Sequence, residues 1–198
     1  MAYKAKFNNE LILPPNTGII YALERVDYEW RKAISEIVDN SIDAISIKNS
    51  QVSLYKGKIY VVAKETKNKV TEILVIDDGI GMSKVELPKS LQLGCSKKDG
   101  AKDNIGVFGM GLKTSGMAIA ESIEIISRDV KGGTFNSALY DPEHMKERDE
   151  FVVPIGRTSK DIVELIEEKI GDSTGTCILL RGIDARGKAV ERNSNIYI

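Results

Sequence analysis

From about Leu23 to Lys48, apolar residues return at steps of three and four, with Trp30, Ala33, Ile34, Ile37, Val38 and Ile45 in phase. That period belongs to an amphipathic helix, which must lay one side on a core. Its other side is unusual. Within SEIVDNSIDA (Ser35 to Ala44), the polar residues Glu36, Asn40 and Asp43 fall in line. At ~100° per residue, Asn40 lies about 40° from Glu36 and Asp43 about 20° to the other side, so the three share a stripe roughly 60° wide. Ile34, Ile37, Val38 and Ile45 spread over the opposite side. A solvated charged face is the plain alternative. Such a face normally mixes in Lys and Arg as i,i+4 partners, and Ser35 to Ser46 holds no basic residue. An acid, an amide and an acid in one stripe suit a hydrated cation and a water.

Around this helix the chain mixes helices and strands without strict alternation. Residues 1–18 are polar around Pro14-Pro15 and read as an extended arm. Residues 52–62 and 70–76 read as strands, TEILVID most clearly. A short helix is expected near 83–92, followed by the polar, glycine-containing loop GCSKKDGAKDN. FGMGLKTSGMAIA looks like a helix opened by glycines. SIEIIS (122–127) alternates as a strand, with 133–140 as its hairpin partner. SKDIVELIEEKIG is a helix with Ser159 as N-cap and Gly171 at its end, and GTCILLRGI is a buried strand. This order favours an α/β two-layer sandwich, with a mixed sheet and helices packed on one face, over a doubly wound parallel fold. The 198 residues suit a single domain over 1–198.

Charge and cysteine usage narrow the setting. The 28 basic and 29 acidic side chains leave a net charge of −1, which gives no general pull toward nucleic acid or an anionic membrane. Nucleic acid is expected only through a larger protein. The N-terminus MAYKAKFNNE has no apolar signal core, and no segment reaches ~18 uninterrupted apolar residues. Cys95 and Cys177 lie far apart and read as free thiols of a reducing compartment, cytoplasmic or, in a eukaryote, nuclear.

Three further segments carry chemistry. In VIDDGIGM (Val75 to Met82), an apolar strand ends in two acids, and Gly79 and Gly81 flank one residue. A tight turn explains the Asp-Gly pair. An adenine pocket explains more. A carboxylate at a strand end accepts from an exocyclic amine, the glycines let backbone approach a flat ring, and Met82 is an adaptable wall. In IGVFGMGLK (Ile105 to Lys113), Gly106, Gly109 and Gly111 form GxxGxG before an apparent helix, a junction whose N–H groups cradle phosphate. The dinucleotide-binding turn needs the reverse glycine order directly after a strand, and no GxxxxGK[ST] occurs anywhere. A flexible glycine-rich loop is the remaining alternative. STGTCILL leads a Gly-Thr pair straight into a strand and by itself signals only a turn.

In this order and spacing the four segments resemble the GHKL ATPase superfamily (gyrase B, Hsp90, histidine kinase and MutL type), with its Bergerat nucleotide-binding fold. EIVDNSIDA resembles the N box, DDGIGM the first glycine box, GVFGMGLK the second and TGT the third, so the match runs from about residue 30 to 182. EIVDNSIDA, LGCSKK and GVFGMGLKTSGM resemble the MORC-like and MutL/Hsp90-like branch. The resemblance implies the following roles. Glu36 is the general base that orients and deprotonates the attacking water. Asn40 is the Mg2+ ligand, an oxygen donor that suits this ion. Asp77 accepts the adenine amine, and Asp78 is structural. Gly79 shapes the turn, while Gly81 and Met82 line the base. Gly106, Gly109 and Gly111 cradle the triphosphate, with Val107, Phe108, Met110 and Leu112 in the same cofactor-binding run and Lys113 as a phosphate contact. Thr176 holds a water against adenine beside Asp77, and Asp43 has a supporting part. Residues 93–105 resemble the ATP lid, from which Lys97 or Lys98 reaches the phosphates. Cys95 receives no chemistry. His144, in DPEHMKERDE, which reads as a charged loop, is expected as a solvated surface residue.

The implied activity is Mg2+-dependent binding of ATP and its slow hydrolysis, by in-line attack of water on the γ-phosphate. Binding would close the lid and drive homodimerisation within a larger machine. In the resembled gyrase, MutL and MORC proteins a second domain supplies a lysine to the γ-phosphate. The polar tail 184–198 leaves no room for one, so the lysine is expected from a downstream domain or a partner. Two alternatives stay open: a kinase catalytic domain of histidine-kinase type, and a nucleotide sensor without turnover. The GLKTSGM ending argues against the first, and Glu36 together with Asn40 against the second.

Overall fold

The structure, a computed structural model, describes residues 17–24, 29–92 and 111–183. The helix expected from about Leu23 begins instead at Trp30, as α2 (Trp30–Gln51), because Glu29 is extended; Leu23 belongs to a separate short α1 (Gly18–Glu24). A hairpin follows, β1 (Ile59–Thr66) and β2 (Lys69–Asp77), then α3 (Glu86–Ser90). Next come α4 (Gly111–Ile119), β3 (Ser122–Arg128), β4 (Asn136–Tyr140) and α5 (Pro142–Arg148). The last described elements are β5 (Ile155–Gly156), α6 (Lys160–Ile170) and β6 (Gly175–Arg181). The first strand starts later than its expected bound, because residues 52–58 form a turn in which exposed Leu54 takes a left-handed φ of 60°.

The strands form one sheet in the order β1-β2-β6-β3-β4-β5. Every registered pair is antiparallel, which corrects the expected mixed sheet. The β1–β2 and β3–β4 pairs are joined by short connections, which can only reverse the chain. The last strand, β6, then inserts between the two hairpins and runs opposite to both neighbours.

The α/β sandwich itself is as expected. Ile73 and Val75 of β2, Ile178 and Leu180 of β6, and Ile123 and Ile125 of β3 pack with Ala33, Ile34 and Ile37 of α2 and with Met117 and Ile119 of α4. The intervening residues Leu74, Ile76, Cys177, Leu179 and Ile126 face the other way, onto Ile162, Ile166 and Ile170 of α6. Helices therefore cover both faces rather than one. The three central strands are apolar at consecutive positions, and a strand of that kind must be covered twice. The spacing of four between the α6 isoleucines supplies the second cover, between Ser159 at the N-cap and Gly171 at the C-cap.

The charged segment around His144 is helical rather than a loop. Asp141 accepts from the His144 backbone N–H at 3.2 Å and Pro142 opens the first turn. Both are standard helix starts. The His144 side chain is half-buried rather than fully solvated.

Candidate functional site

Three side chains meet in one row where the central strands end. Asp77 of β2 registers with Thr176 of β6, and Thr176 with Ser127 of β3. Strand alternation puts all three on the face of Val75, Ile178 and Ile125, toward α2. All three are buried. The Asp77 carboxylate accepts from the Gly79 backbone N–H at 2.9 Å. The Ser41 hydroxyl of α2 and the Thr176 backbone N–H also donate to it. Burial outweighs these bonds and, with a smaller push from Asp78, raises the carboxyl from 3.8 to about 7. An acid so costly to ionise is primed to take one more hydrogen-bond donor.

The glycines beside it have no room for side chains. At Gly81, φ is +73° and a Cβ would lie 2.0 Å from the Arg128 carbonyl oxygen. At Gly79, a Cβ would lie 2.8 Å from both the Ala44 Cβ and the Asp77 Oδ1. The Gly79–Met82 backbone is thus pressed between α2 and the end of β3. The Ile80 N–H donates to the Ala44 carbonyl at 3.2 Å, the Met82 N–H to Ser127 Oγ at 2.8 Å, and Thr174 Oγ1 to the Gly79 carbonyl at 2.7 Å. Met82 packs, half-buried, against the α2-side core.

Asp78 points elsewhere. Its Oδ1 accepts from the Lys58 N–H at 2.7 Å. Its carbonyl accepts from Lys48 Nζ at 2.5 Å and the Tyr55 hydroxyl at 2.9 Å. Lys48 also donates to Ser173 Oγ at 2.9 Å and lies 4.4 Å over the Tyr55 ring. These bonds tie the end of β2 to the last turn of α2 and to the loop before β6. Burial lowers the Lys48 pKa against the opposing pull of Asp78 and Asp77, and burial with the Asp78 bond pushes Tyr55 up to about 12.

On α2, Glu36 and Asp43 are half-buried and Asn40 is exposed. Asn40 Nδ2 donates to the Glu36 carbonyl at 2.9 Å, which turns Oδ1, the atom able to ligate a cation, the other way. A Cβ on Gly111 would sit 3.2 Å from Glu36 Oε2, so this carboxylate stands at the first described residue of α4. Asn40 Oδ1, on the same helix as Glu36, is an oxygen donor of the kind Mg2+ uses. Leu112 packs half-buried against the core, and Lys113 is 1 % exposed, enclosed on α4 instead of standing at its surface. Gly106, Val107, Phe108, Gly109 and Met110 lie outside the described residues, as do Cys95, Lys97, Lys98 and residues 93–105.

Two residues of the site, Ser41 and Ser127, escape sequence reasoning. A signal for them exists. Ser41 continues the buried stripe of Ile34 and Ile37, and Ser127 continues the core-facing parity of Ile123 and Ile125. A small polar residue on an apolar stripe needs a buried partner, and here both point at the Asp77–Thr176 row.

Comparison with known proteins identifies the family of the fold. The family model for "Histidine kinase-, DNA gyrase B-, and HSP90-like ATPase" matches residues 28–176. Protein MICRORCHIDIA 2 of Arabidopsis thaliana is 35% identical over 107 residues, covering 54% of this chain and 16% of that protein. Protein MICRORCHIDIA 3 of the same plant is 34% identical over 101 residues, 51% of this chain and 16% of its own length. DNA mismatch repair protein MutL of Caulobacter vibrioides is 32% identical over 106 residues, 51% of this chain and 15% of its own length. The matched region is thus a small part of each of these relatives.

Proposed function

We propose a function from one premise: this chain belongs to the histidine kinase-, DNA gyrase B- and HSP90-like ATPase family and is an ATP-binding module of that kind. It takes the adenine of ATP at the Asp77–Thr176 row and hydrolyses the γ-phosphate at the Glu36 wall. The observation that carries this is the row itself, a buried acid and a buried hydroxyl in register, facing the helix that bears Glu36 and Asn40.

Each residue then has a task. Asp77 accepts the exocyclic amine, and Thr176 holds a water beside it. Gly79, Gly81 and Met82 lie against the ring. The phosphates run toward the start of α4, with Gly106, Gly109 and Gly111 as their cradle. Glu36 orients the attacking water and takes its proton, which is worth roughly 10²- to 10⁴-fold in rate for a well-placed base. Asn40 Oδ1 would hold Mg2+, which when bound offsets charge on the phosphate oxygens. Residues 93–105 act as a lid, dimerisation follows lid closure, and a lysine from a downstream domain or partner completes the site. Turnover is slow until that lysine engages. The wide separation of Cys95 and Cys177 in the sequence supports work in a reducing compartment.

Glu36→Ala separates binding from chemistry. Calorimetric titration with ATP and Mg2+ should give an affinity within about threefold of the parent, while phosphate release falls by about 10²-fold or more. Unchanged hydrolysis in a clean preparation would remove Glu36 from its role. Asn40→Ala should weaken binding only when Mg2+ is present.

A further inference from the structure

The Ser127 hydroxyl has one proton and two lone pairs, and the structure gives all three a partner. It donates to the Gly175 carbonyl at 3.0 Å. It accepts from the Met82 N–H at 2.8 Å. Its third contact is Thr176 Oγ1 at 2.9 Å. With the Ser127 proton already given to Gly175, the Thr176 hydroxyl must donate in that pair. Ser127 is 0% exposed, so no water competes for these bonds. The Thr176 proton is thereby used up behind the pocket, and Thr176 Oγ1 turns only lone pairs toward the space beside Asp77. An ionised Asp77 is also an acceptor and nothing else. Among the described residues, the polar end of the proposed pocket therefore presents two acceptors, the Asp77 carboxylate and Thr176 Oγ1.

We infer that Ser127 is a positioning residue for base selection: by consuming the Thr176 proton it makes the pocket accept a 6-amino purine and reject a 6-keto purine. This rests on the adenine site proposed above. An amine at position 6 brings donors to the two acceptors, directly or through the water on Thr176. A keto oxygen at the same position brings a third acceptor, and a site built for one hydrogen-bond polarity strongly disfavours the opposite one. Without Ser127, the Thr176 hydroxyl is free to rotate and donate, and the keto oxygen gains a partner.

The test compares ATP and ITP, which differ only in this position and in the ring N1 proton, by calorimetric titration of the full chain with Mg2+ at pH 8. The parent should prefer ATP. Ser127→Ala should reduce the ATP-over-ITP preference by roughly tenfold, the worth of about one hydrogen bond, chiefly by improving ITP. Ser127→Cys, nearly isosteric but with a weak acceptor, should shift the preference the same way if the alanine variant folds poorly. Loosening of the pocket alone would weaken both nucleotides together and leave the ratio in place. In a Thr176→Val background, where no hydroxyl remains to be oriented, Ser127→Ala should leave the ratio unchanged. A folded Ser127→Ala or Ser127→Cys protein with the parental ratio overturns the inference, as does an equal shift in the Thr176→Val background. A parent that binds neither nucleotide, or both equally, removes the adenine site itself.

Discussion

Two adjacent rows cross the same three strands and do opposite things. Asp77, Thr176 and Ser127 form one; Ile76, Cys177 and Ile126, one residue back, form the other. The first faces α2 and gathers hydrogen bonds. The second faces α6 and gathers only apolar contacts. In both rows burial pushes a titratable group upward, Asp77 to about 7 and the Cys177 thiol well above its ordinary value. The consequence differs. A buried thiol stays neutral at little cost and packs like a small hydrophobe. A buried carboxyl near neutral pH is poised between two charge states and invites a partner. A single residue step, which in a strand reverses the side chain, separates the scaffold from the site.

The comparison would break first at the apolar row. Leu179→Ala, which empties the α6 face two residues beyond Cys177, should cost about 3 kcal/mol of stability. ATP affinity at a temperature where the variant is folded should stay within about twofold of the parent. A loss of affinity comparable to the loss of stability would mean that the two faces do not divide their work.

The next largest effect lies in the opposite row and has the opposite sign. Below the unfolded carboxylate value of 3.8, Asp77 is protonated in both states and contributes nothing. Between 3.8 and about 7 the unfolded chain ionises while the fold retains the proton, so stability declines as pH rises. Above about 7 the whole penalty is present. Asp77→Asn should therefore stabilise the ligand-free protein at pH 8 by on the order of 2 kcal/mol, with the gain fading toward pH 4. Thermal melts at both pH values check this, and a variant less stable than the parent at pH 8 would contradict it.

A smaller effect sharpens the same point. The exocyclic amine bonds an ionised carboxylate more strongly than a neutral carboxyl, so adenosine, which carries no phosphate to titrate, should bind up to roughly tenfold tighter at pH 8 than at pH 6. In the Asp77→Asn protein that pH dependence should vanish. A flat profile in the parent would place the titrating group outside the pocket.

Much of this site is legible in the sequence because period carries position. The stripe of Glu36 and Asn40 follows from 3.6 residues per turn, and Asp77 follows from an apolar strand ending in an acid before two glycines. Thr176 becomes legible only beside the other segments, since a Gly-Thr pair before a strand is otherwise a turn. The second cover of the sheet is not legible, because continuous apolar strands do not announce which helix lies on which face. Sheet direction depends on where β6 inserts, a contact made across the whole chain. The serines are illegible for a different reason. Ser41 and Ser127 matter through hydrogen bonds to residues distant in sequence, Asp77 and Thr176, and no local pattern encodes the partner.

The central claim is that the Asp77 carboxylate, at the polar end of the sheet, is what recognises nucleotide. Calorimetric titration of ATP with Mg2+ into the parent and into Asp77→Asn at pH 8, where the carboxylate is ionised, tests it most directly. The parent should bind, and the variant, folded and more stable than the parent, should bind about 10²-fold more weakly or not measurably. Equal affinity in the two proteins would contradict the account.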